Sequence, residues 1–267
     1  MNFIILSSLT LLIGFYFLWR RKNKIKKVDK LLSASALSIE ELDNKEYPLN
    51  SVELYGKVKS NKTLTAPLSN IECVFYKVIL KMQIEEKEEF TNQSGEKGTR
   101  WANKTKTIYE KEEFIPFLLE DETGSITVDL KGSELTPQQS YSSIVKSDIL
   151  EIPESILESK NHLKDDIQKT KEEIKALDLD TFKIKNFNWI EYTLPVSGSL
   201  YVMGSVDNAE KGLTVKKVNK NPFIVSVKSP SMVYDDLDKK IQLLFYLGIV
   251  FVITGVFLFF YGIKEWL

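Results

Sequence analysis

Two residue types that serve many kinds of active site are almost missing from this chain of 267 residues, which has one cysteine, Cys73, and one histidine, His162. A single cysteine excludes an intramolecular disulfide, so nothing in the sequence indicates an oxidising compartment. Zinc sites of the usual kind need three or four ligands, which one cysteine and one histidine cannot supply without carboxylates. A nucleophile with a histidine base would have to use His162, which lies in a heavily charged segment. We therefore expect no cofactor, no metal and no catalytic residue of these kinds.

An excess of charge of one sign is also lacking, since 36 basic residues oppose 37 acidic ones and the net charge is −1. Domains that bind nucleic acid usually have a marked basic excess, so a nucleic-acid partner is not expected. Charge is missing altogether from two apolar runs near the chain ends, residues 3–19 and 243–263. A transmembrane helix needs about 20 such residues. The sequence therefore predicts transmembrane helices at 3–19 and 241–263.

Basic residues are concentrated directly after the first apolar run. A cleaved signal peptide would carry its positive charge before the apolar core, whereas here the charge follows it. Cytoplasmic flanks of membrane helices are enriched in lysine and arginine. We therefore expect a two-pass integral membrane protein with both termini outside and the central domain in the cytoplasm. The residues that predict this topology are Arg20, Arg21, Lys22, Lys24, Lys26 and Lys27.

The segment between the two predicted spans reads as a β-rich domain. A basic flank and connector (20–50) precedes the domain (51–230), and a juxtamembrane segment (231–240) follows it. Alternation of apolar and polar residues predicts strands at 51–59, 74–84, 114–119, 125–130, 187–194, 200–206, 213–218 and 223–228. Residues 91–99 read as an exposed turn, after which 101–113 would return as the second strand of a long hairpin.

One helix is predicted inside this domain, at 153–177, where Ile167 and Ile174 belong to an apolar stripe that also includes Ile156, Leu163 and Leu177. We expect it to pack on the β-domain, and a partner-binding coiled coil stays open as the alternative. The fold class is α+β and mostly β. We expect an OB-like, partly open barrel or sandwich with one inserted surface helix, flanked by two transmembrane helices. Gly56 and Gly204 lie in similar heptapeptides and predict bent strands; a duplication is not excluded.

Some small groups of residues have two readings. Asp121, Glu122 and Asp129 could ligate a metal through oxygen, but a charged hairpin turn is the simpler interpretation. The same holds for the aspartates of the juxtamembrane segment, which a solvated surface explains. Tyr76 and Trp101 could line a ligand surface, although Tyr76 shares the parity of its apolar neighbours and reads as core. Cys73 reads as a small buried residue.

Several short motifs follow one another in an order that resembles a known family. They are carried by Gly56, by Pro67 in the segment 64–69, by Cys73 and Tyr76, by Trp101, by Asp121, Gly124 and Asp129 in the segment 117–129, and by Gly204. With the two bracketing helices, this order resembles the GIDE domain, the membrane-bracketed module of MULAN-type mitochondrial E3 ubiquitin ligases and their prokaryotic relatives. The resemblance implies an accessory domain that senses or binds something at the membrane.

The ligases of that family carry a RING after the second helix, whereas this chain ends four residues past it. We therefore expect no ligase activity. The expected function is a non-catalytic, membrane-anchored binding or sensory module that recruits a protein partner or lipid at the cytoplasmic membrane face. The alternatives are a RING-less relative that retains only the accessory domain, or an enzyme of unknown type that uses carboxylates. The binding residues are not identified by the resemblance.

Overall fold

The computed structural model describes residues 2–42, 45–92, 95–146, 163–175, 182–209, 212–219 and 221–264. Two long helices, α1 (Asn2–Leu32) and α4 (Pro230–Lys264), bracket two β-sheets and two shorter helices, α2 (Ile39–Leu42) and α3 (Leu163–Lys175). The described strands, in chain order, are β1 (Ser35–Ala36), β2 (Leu49–Lys59), β3 (Leu64–Thr65), β4 (Glu72–Thr91), β5 (Lys97–Phe114), β6 (Phe117–Glu120), β7 (Ser125–Val128), β8 (Glu134–Thr136), β9 (Gln138–Val145), β10 (Phe182–Pro195), β11 (Ser199–Ala209), β12 (Gly212–Lys216) and β13 (Ile224–Ser226).

Five strands of the first sheet close into a barrel. Strand β2 pairs antiparallel with both β6 and β11, β6 pairs with β7, and β11 pairs with β12. The ring closes through a parallel contact between β7 and β12, with Thr127 opposite Thr214. A five-stranded Greek-key barrel of this kind is the OB architecture. The expected OB-like, mostly β fold is therefore confirmed, and the barrel is closed rather than partly open.

Alternating residues of β2 and β11 fill the barrel. Val52 and Leu54 are buried together with Leu200 and Val202, and Leu54 lies opposite Val202 in the antiparallel ladder. The similar heptapeptides around Gly56 and Gly204 are thus neighbouring strands of one barrel. Alternation in these strands reflects one face in the core and the other face outside.

The second sheet is built around the long strand β4. Strand β10 pairs along one edge of β4, and β5 and the short β3 both pair along the other edge. Strand β9 pairs with the far edge of β10. Leu80 and Ile84 of β4 pack with Trp189 of β10 in a core of their own. The expectation that all the predicted strands belong to one continuous β core is therefore wrong. Strand 74–84 has the same period as the barrel strands, and period alone does not reveal which sheet a strand joins.

Helix α3 lies on this second core, where Ile167 and Ile174 are buried. It therefore packs within the chain, as the apolar stripe predicts; residues 153–162 and 176–177 of the predicted helix lie outside the described residues. The predicted long hairpin is present as β4 and β5, whose ladder extends to Thr91 opposite Lys97. Strands β8 and β9 were not predicted, because their sequence is polar and has little alternation.

The terminal helices are long and apolar enough to cross a membrane. They pack as an antiparallel pair along glycines spaced seven residues apart in α4: Gly255 accepts a hydrogen bond from the Ser7 hydroxyl through its carbonyl (2.8 Å), and Gly248 lies against Leu18. Neither apolar run contains the Gly-x-x-x-Gly motif that is common where membrane helices pack. Small residues at heptad spacing nevertheless allow the close approach of the two helices within one chain.

The two terminal helices pack against the barrel. Leu31 of α1 and Val233 and Leu237 of α4 pack on Tyr201 and Met203, which face outward from β11. Two tyrosine hydroxyls also donate to the Glu53 carboxylate of β2, one from Tyr201 (2.7 Å) and one from Tyr234 of α4. Burial and the bond to Glu53 raise the pKa of Tyr201, so its hydroxyl stays protonated. The barrel therefore has a defined orientation on the helix pair.

Candidate membrane-proximal binding site

A cleft of about 500 Å³ opens where the barrel, the second sheet and the base of α4 meet. Its wall crosses from one sheet to the other at Pro137, because β8 pairs with β13 of the first sheet and β9 pairs with β10 of the second sheet. The floor is apolar and the rim is charged. The lining residues are Lys77, Ile79, Glu134, Leu135, Thr136, Pro137, Tyr192, Ile224, Lys228, Val233, Asp236, Leu237 and Lys240.

The lysines on the rim differ in how they are paired. Lys228 forms an ion pair with Asp236, and Lys77 pairs with Glu110 and, at 3.4 Å, with Glu112. The hydrogen bond with Glu110 raises the pKa of Lys77, so this side chain stays charged. Lys240 has no ion-pair partner within the described part of the chain. The pKa of Asp236 is lowered mainly by the hydrogen bond from Lys228 and less by the charge of Lys240, so Lys240 acts on this carboxylate from a distance and is not held in an ion pair.

A smaller cleft of about 330 Å³ lies beside the first and shares Glu134 with it. Its other lining residues are Trp19, Arg20, Asn23 and Lys24, all on α1. Trp19 is 60% exposed. Exposed tryptophan and basic residues at the end of an apolar helix are typical of the membrane–water interface.

Both clefts lie at the level where the two apolar runs border the β-domain. Trp19 and Lys24 are at the end of the first apolar run, and Lys240 immediately precedes the second. The pairing of the two helices places these positions at one height, because the guanidinium of Arg21 lies 4.7 Å from the ring centroid of Phe245. In a chain whose two helices span a bilayer, these charged rims would lie near the bilayer surface.

The basic residues that predict topology have different surroundings. Arg20 and Lys24 line the smaller cleft, Arg21 stacks on Phe245, and Lys22 and Lys26 are exposed outside both clefts. The Lys27 side chain lies outside the described residues. Only part of the basic run is thus available to a site between helix and barrel.

Asp121 holds a turn rather than a metal. Its carboxylate accepts hydrogen bonds from the backbone N–H groups of Thr123 (2.7 Å), Gly124 (2.9 Å) and Ile39 (2.9 Å), and the last of these caps α2. Burial opposes the charged form, but the hydrogen bond from the Thr123 hydroxyl, together with these backbone bonds, lowers the pKa of Asp121. Asp129 makes a separate local turn by accepting from the Lys131 N–H. Among the described residues no group of three potential ligands is close enough to hold a metal, and the turn interpretation is the one that the geometry favours.

The glycines among the predicted residues allow close packing. A Cβ at Gly56 would lie 2.5 Å from the carbonyl oxygen of Glu120, so β2 and β6 approach each other here through backbone. A Cβ at Gly204 would meet side chains instead, at 2.7 Å from Val215 and 2.8 Å from Phe223. Gly56 and Asp121 also border a third, shallow cleft of about 580 Å³. Its carboxylates are largely engaged, since Glu120 pairs with Lys59 at 2.6 Å.

Pro67, Cys73 and Tyr76 are buried at the start of the second sheet, where sequence reasoning missed the residue that organises them. Glu191 of β10 is fully buried, and its carboxylate accepts from the N–H groups of Leu68 (2.7 Å) and Ser69 (3.2 Å). The hydroxyls of Ser69 and Ser140 donate to it as well. Burial, with a smaller effect of Glu191, raises the pKa of the Cys73 thiol to about 12. Cys73 is therefore a core residue and not a reactive thiolate.

Trp101 lies on the outer half of the β4–β5 hairpin. It is 41% exposed, and the ammonium groups of Lys87 and Lys183 lie 5.2 and 4.7 Å from its ring centroid. In the antiparallel ladder Trp101 lies opposite Lys87 of β4. Lys87 is ten residues along β4 from Lys77, which lines the cleft of about 500 Å³. At ~3.3 Å per residue, the distance from Trp101 to that cleft is about 33 Å. The residues of the family motifs thus lie in three separate places, which are the barrel, the start of the second sheet and the outer half of the long hairpin. None of them lines the cleft of about 500 Å³.

A closed OB-type barrel and a second sheet, fixed to one end of an antiparallel pair of apolar helices, define the class of this protein as a membrane-anchored β-domain. The family model GIDE, described as "E3 Ubiquitin ligase", matches residues 86–259. The chain belongs to the GIDE family, and the resemblance drawn from its motifs is confirmed. It is thus a membrane-associated domain of a ligase family. A comparison with curated proteins found no match, and neither did a comparison with solved structures.

Proposed function

We propose that this protein is a non-catalytic binding module that recruits a protein partner or a lipid at the cytoplasmic face of the membrane. The observation that supports this best is the position of the cleft of about 500 Å³, which lies between the barrel and the second sheet and beside the base of an apolar helix long enough to span a membrane. Ligands held in the membrane would reach this cleft without leaving the bilayer surface.

Fixed attachment favours recognition at the membrane. The contacts of Tyr201 with α4 and the burial of Leu31 against the barrel hold the cleft at one height. Tethering of this kind removes most translational freedom, and short linkers give effective concentrations of about millimolar. Little intrinsic affinity is then needed to hold a membrane-borne ligand.

Three carboxylates that an enzymatic alternative could use are engaged in structural contacts. Glu191 receives four hydrogen bonds in the second sheet, Asp121 closes a turn, and Asp236 pairs with Lys228. These contacts favour a binding module over acid–base chemistry at the same residues.

Photo-crosslinking in native membranes tests this proposal. A photoreactive residue is introduced into the full chain at Thr136 in the cleft, and in a matched variant at Glu96 at the end of the hairpin. We expect discrete protein or lipid adducts from position 136 and none of comparable yield from position 96. Equal adducts from both positions, or adducts from position 96 alone, would contradict a membrane-facing site.

A deletion gives an independent test with the same readout. Replacing residues 91–99 by a short turn removes the end of the hairpin and leaves both clefts intact. The adducts formed at position 136 are expected in unchanged yield, because the hairpin end is remote from the membrane. Loss of these adducts in a chain that still unfolds at the parent temperature would place recognition on the hairpin.

A further inference from the structure

We infer that the two adjoining clefts bind the headgroup of an anionic phospholipid, with its phosphate between α1 and the base of α4. This inference rests on the proposed membrane-facing function and names its ligand class. The ligand would come from the leaflet that contacts Trp19 and Lys240.

Unpaired cations make the two adjoining clefts, together called the joint cleft, selective for an anion. Arg20, Lys24 and Lys240 form no ion pair with any residue that the structure describes, whereas Lys77 and Lys228 are each neutralised by carboxylates. Glu134 is the one acidic residue shared by both clefts. The three cations outnumber it, so the joint cleft has a net positive charge.

The shape of the site fits a molecule that is charged at one end and apolar at the other. Behind the charged rim, the floor is formed by Leu135 and Ile224 of the first sheet and by Val233 and Leu237 of α4. A free phosphate would leave this apolar floor exposed to water, which is unfavourable. The glycerol and first methylene groups of a lipid would cover it.

The position of the site along the two apolar helices supports the same ligand. A lipid phosphate lies at the height at which the apolar runs end, and the site lies between the end of one run and the start of the other. Clustered basic residues next to a membrane helix attract anionic lipid headgroups. Here the basic residues also form a concave wall with the barrel, which gives a defined site in addition to general attraction.

Two matched triple variants of the full chain distinguish a site from general surface charge. The cleft variant combines Arg20→Gln, Lys24→Gln and Lys240→Gln. The control variant combines Lys22→Gln, Lys26→Gln and Lys239→Gln, which removes the same charge from the same two helices outside both clefts. Each protein is purified in detergent and incubated with phosphatidylglycerol or phosphatidylcholine, and bound lipid is counted by native mass spectrometry.

We expect the parent and the control variant to retain phosphatidylglycerol in preference to phosphatidylcholine. The cleft variant should retain it about tenfold less well or worse, because three charge contacts are lost. Equal loss in both triple variants would overturn the inference, since it would indicate general electrostatic attraction. Absence of any preference in the parent would overturn it too, as would displacement of the lipid by an equal concentration of glycerol 3-phosphate.

A photoactivatable phosphatidylglycerol provides a readout in the unmutated chain, so that misfolding of a variant cannot decide the result. Its adducts are expected at residues 134–137 and on α1 near Trp19. Adducts spread evenly along the apolar faces of both helices would contradict the site. If lipid binding fails while position 136 still crosslinks to a protein, the proposed recruiting function stands and the lipid inference alone is wrong.

Discussion

Gly56 and Gly204 support the barrel by different contacts, and both should resist substitution. Gly56→Val places a branched side chain against the backbone carbonyl of Glu120, and Gly204→Val overpacks Val215 and Phe223. We expect each to lower the free energy of unfolding by about 3 kcal/mol, measured by thermal or denaturant unfolding in detergent. Gly198→Ala is the control, because a Cβ there meets nothing closer than 3.6 Å. Parental stability of both valine variants would refute close packing at these sites.

Glu191 provides a second prediction at the scale of a single residue. Glu191→Ala leaves the N–H groups of Leu68 and Ser69 without their acceptor in a buried site. An unfolding free energy lower by about 3 kcal/mol is expected, because buried donors that lose a charged partner are costly. The exposed Glu89 supplies the control substitution Glu89→Ala, for which little change is expected. Similar stability of the two variants would mean that Glu191 does not hold the turn at residues 66–69.

Pairing of whole helices depends on the glycines of α4. Gly255→Leu introduces a side chain where Leu11 would lie 2.7 Å from the new Cβ, and it also displaces the Ser7 hydrogen bond. We expect the pair to separate locally, which spin labels at Lys22 and Lys239 would report as a longer and broader distance distribution. Ile253→Leu changes a residue that is 63% exposed on the same helix, and it should leave the distance unchanged. An unchanged distance distribution for Gly255→Leu would show that the glycine seam, meaning the α4 glycines that contact α1, is dispensable for helix pairing.

The orientation of the whole molecule is predicted by the basic run after the first apolar segment. The antiparallel helix pair puts Phe3 and Tyr261 together at the end of the pair that is remote from the β-domain. In a Cys73→Ser background, single cysteines at Ser60 and Thr136 should be shielded from impermeant thiol reagents in intact cells, because lysine and arginine favour the cytoplasmic side. A cysteine at Asn2 should react from outside.

The same experiment has an internal check. In the folded parent chain Cys73 should react slowly at neutral pH, since burial disfavours its thiolate. If Ser60→Cys is labelled as fast in intact cells as in permeabilised cells, the predicted topology is wrong.

Local pattern in the sequence was enough for several features of this protein. The apolar runs, the basic flank, the period of two in β2, β4 and β11 and the turn of the long hairpin are properties of neighbouring residues, so they can be read without knowing what lies across the chain. The ordered motifs around Gly56, Asp121 and Gly204 were enough to identify the GIDE family.

Contacts between distant residues were decided only by the tertiary structure. The parallel contact of Thr127 with Thr214 closes the barrel. The buried carboxylate of Glu191 is stabilised by backbone N–H donors of a loop more than a hundred residues away in the sequence. The joint cleft draws its walls from α1, β8 and α4, which no single segment predicts. An alternating strand has the same local pattern whichever neighbour it joins, and an acidic residue on it looks solvent-exposed until the fold supplies its donors. Register and long-range packing therefore determine the sheets, the glycine seam and the site.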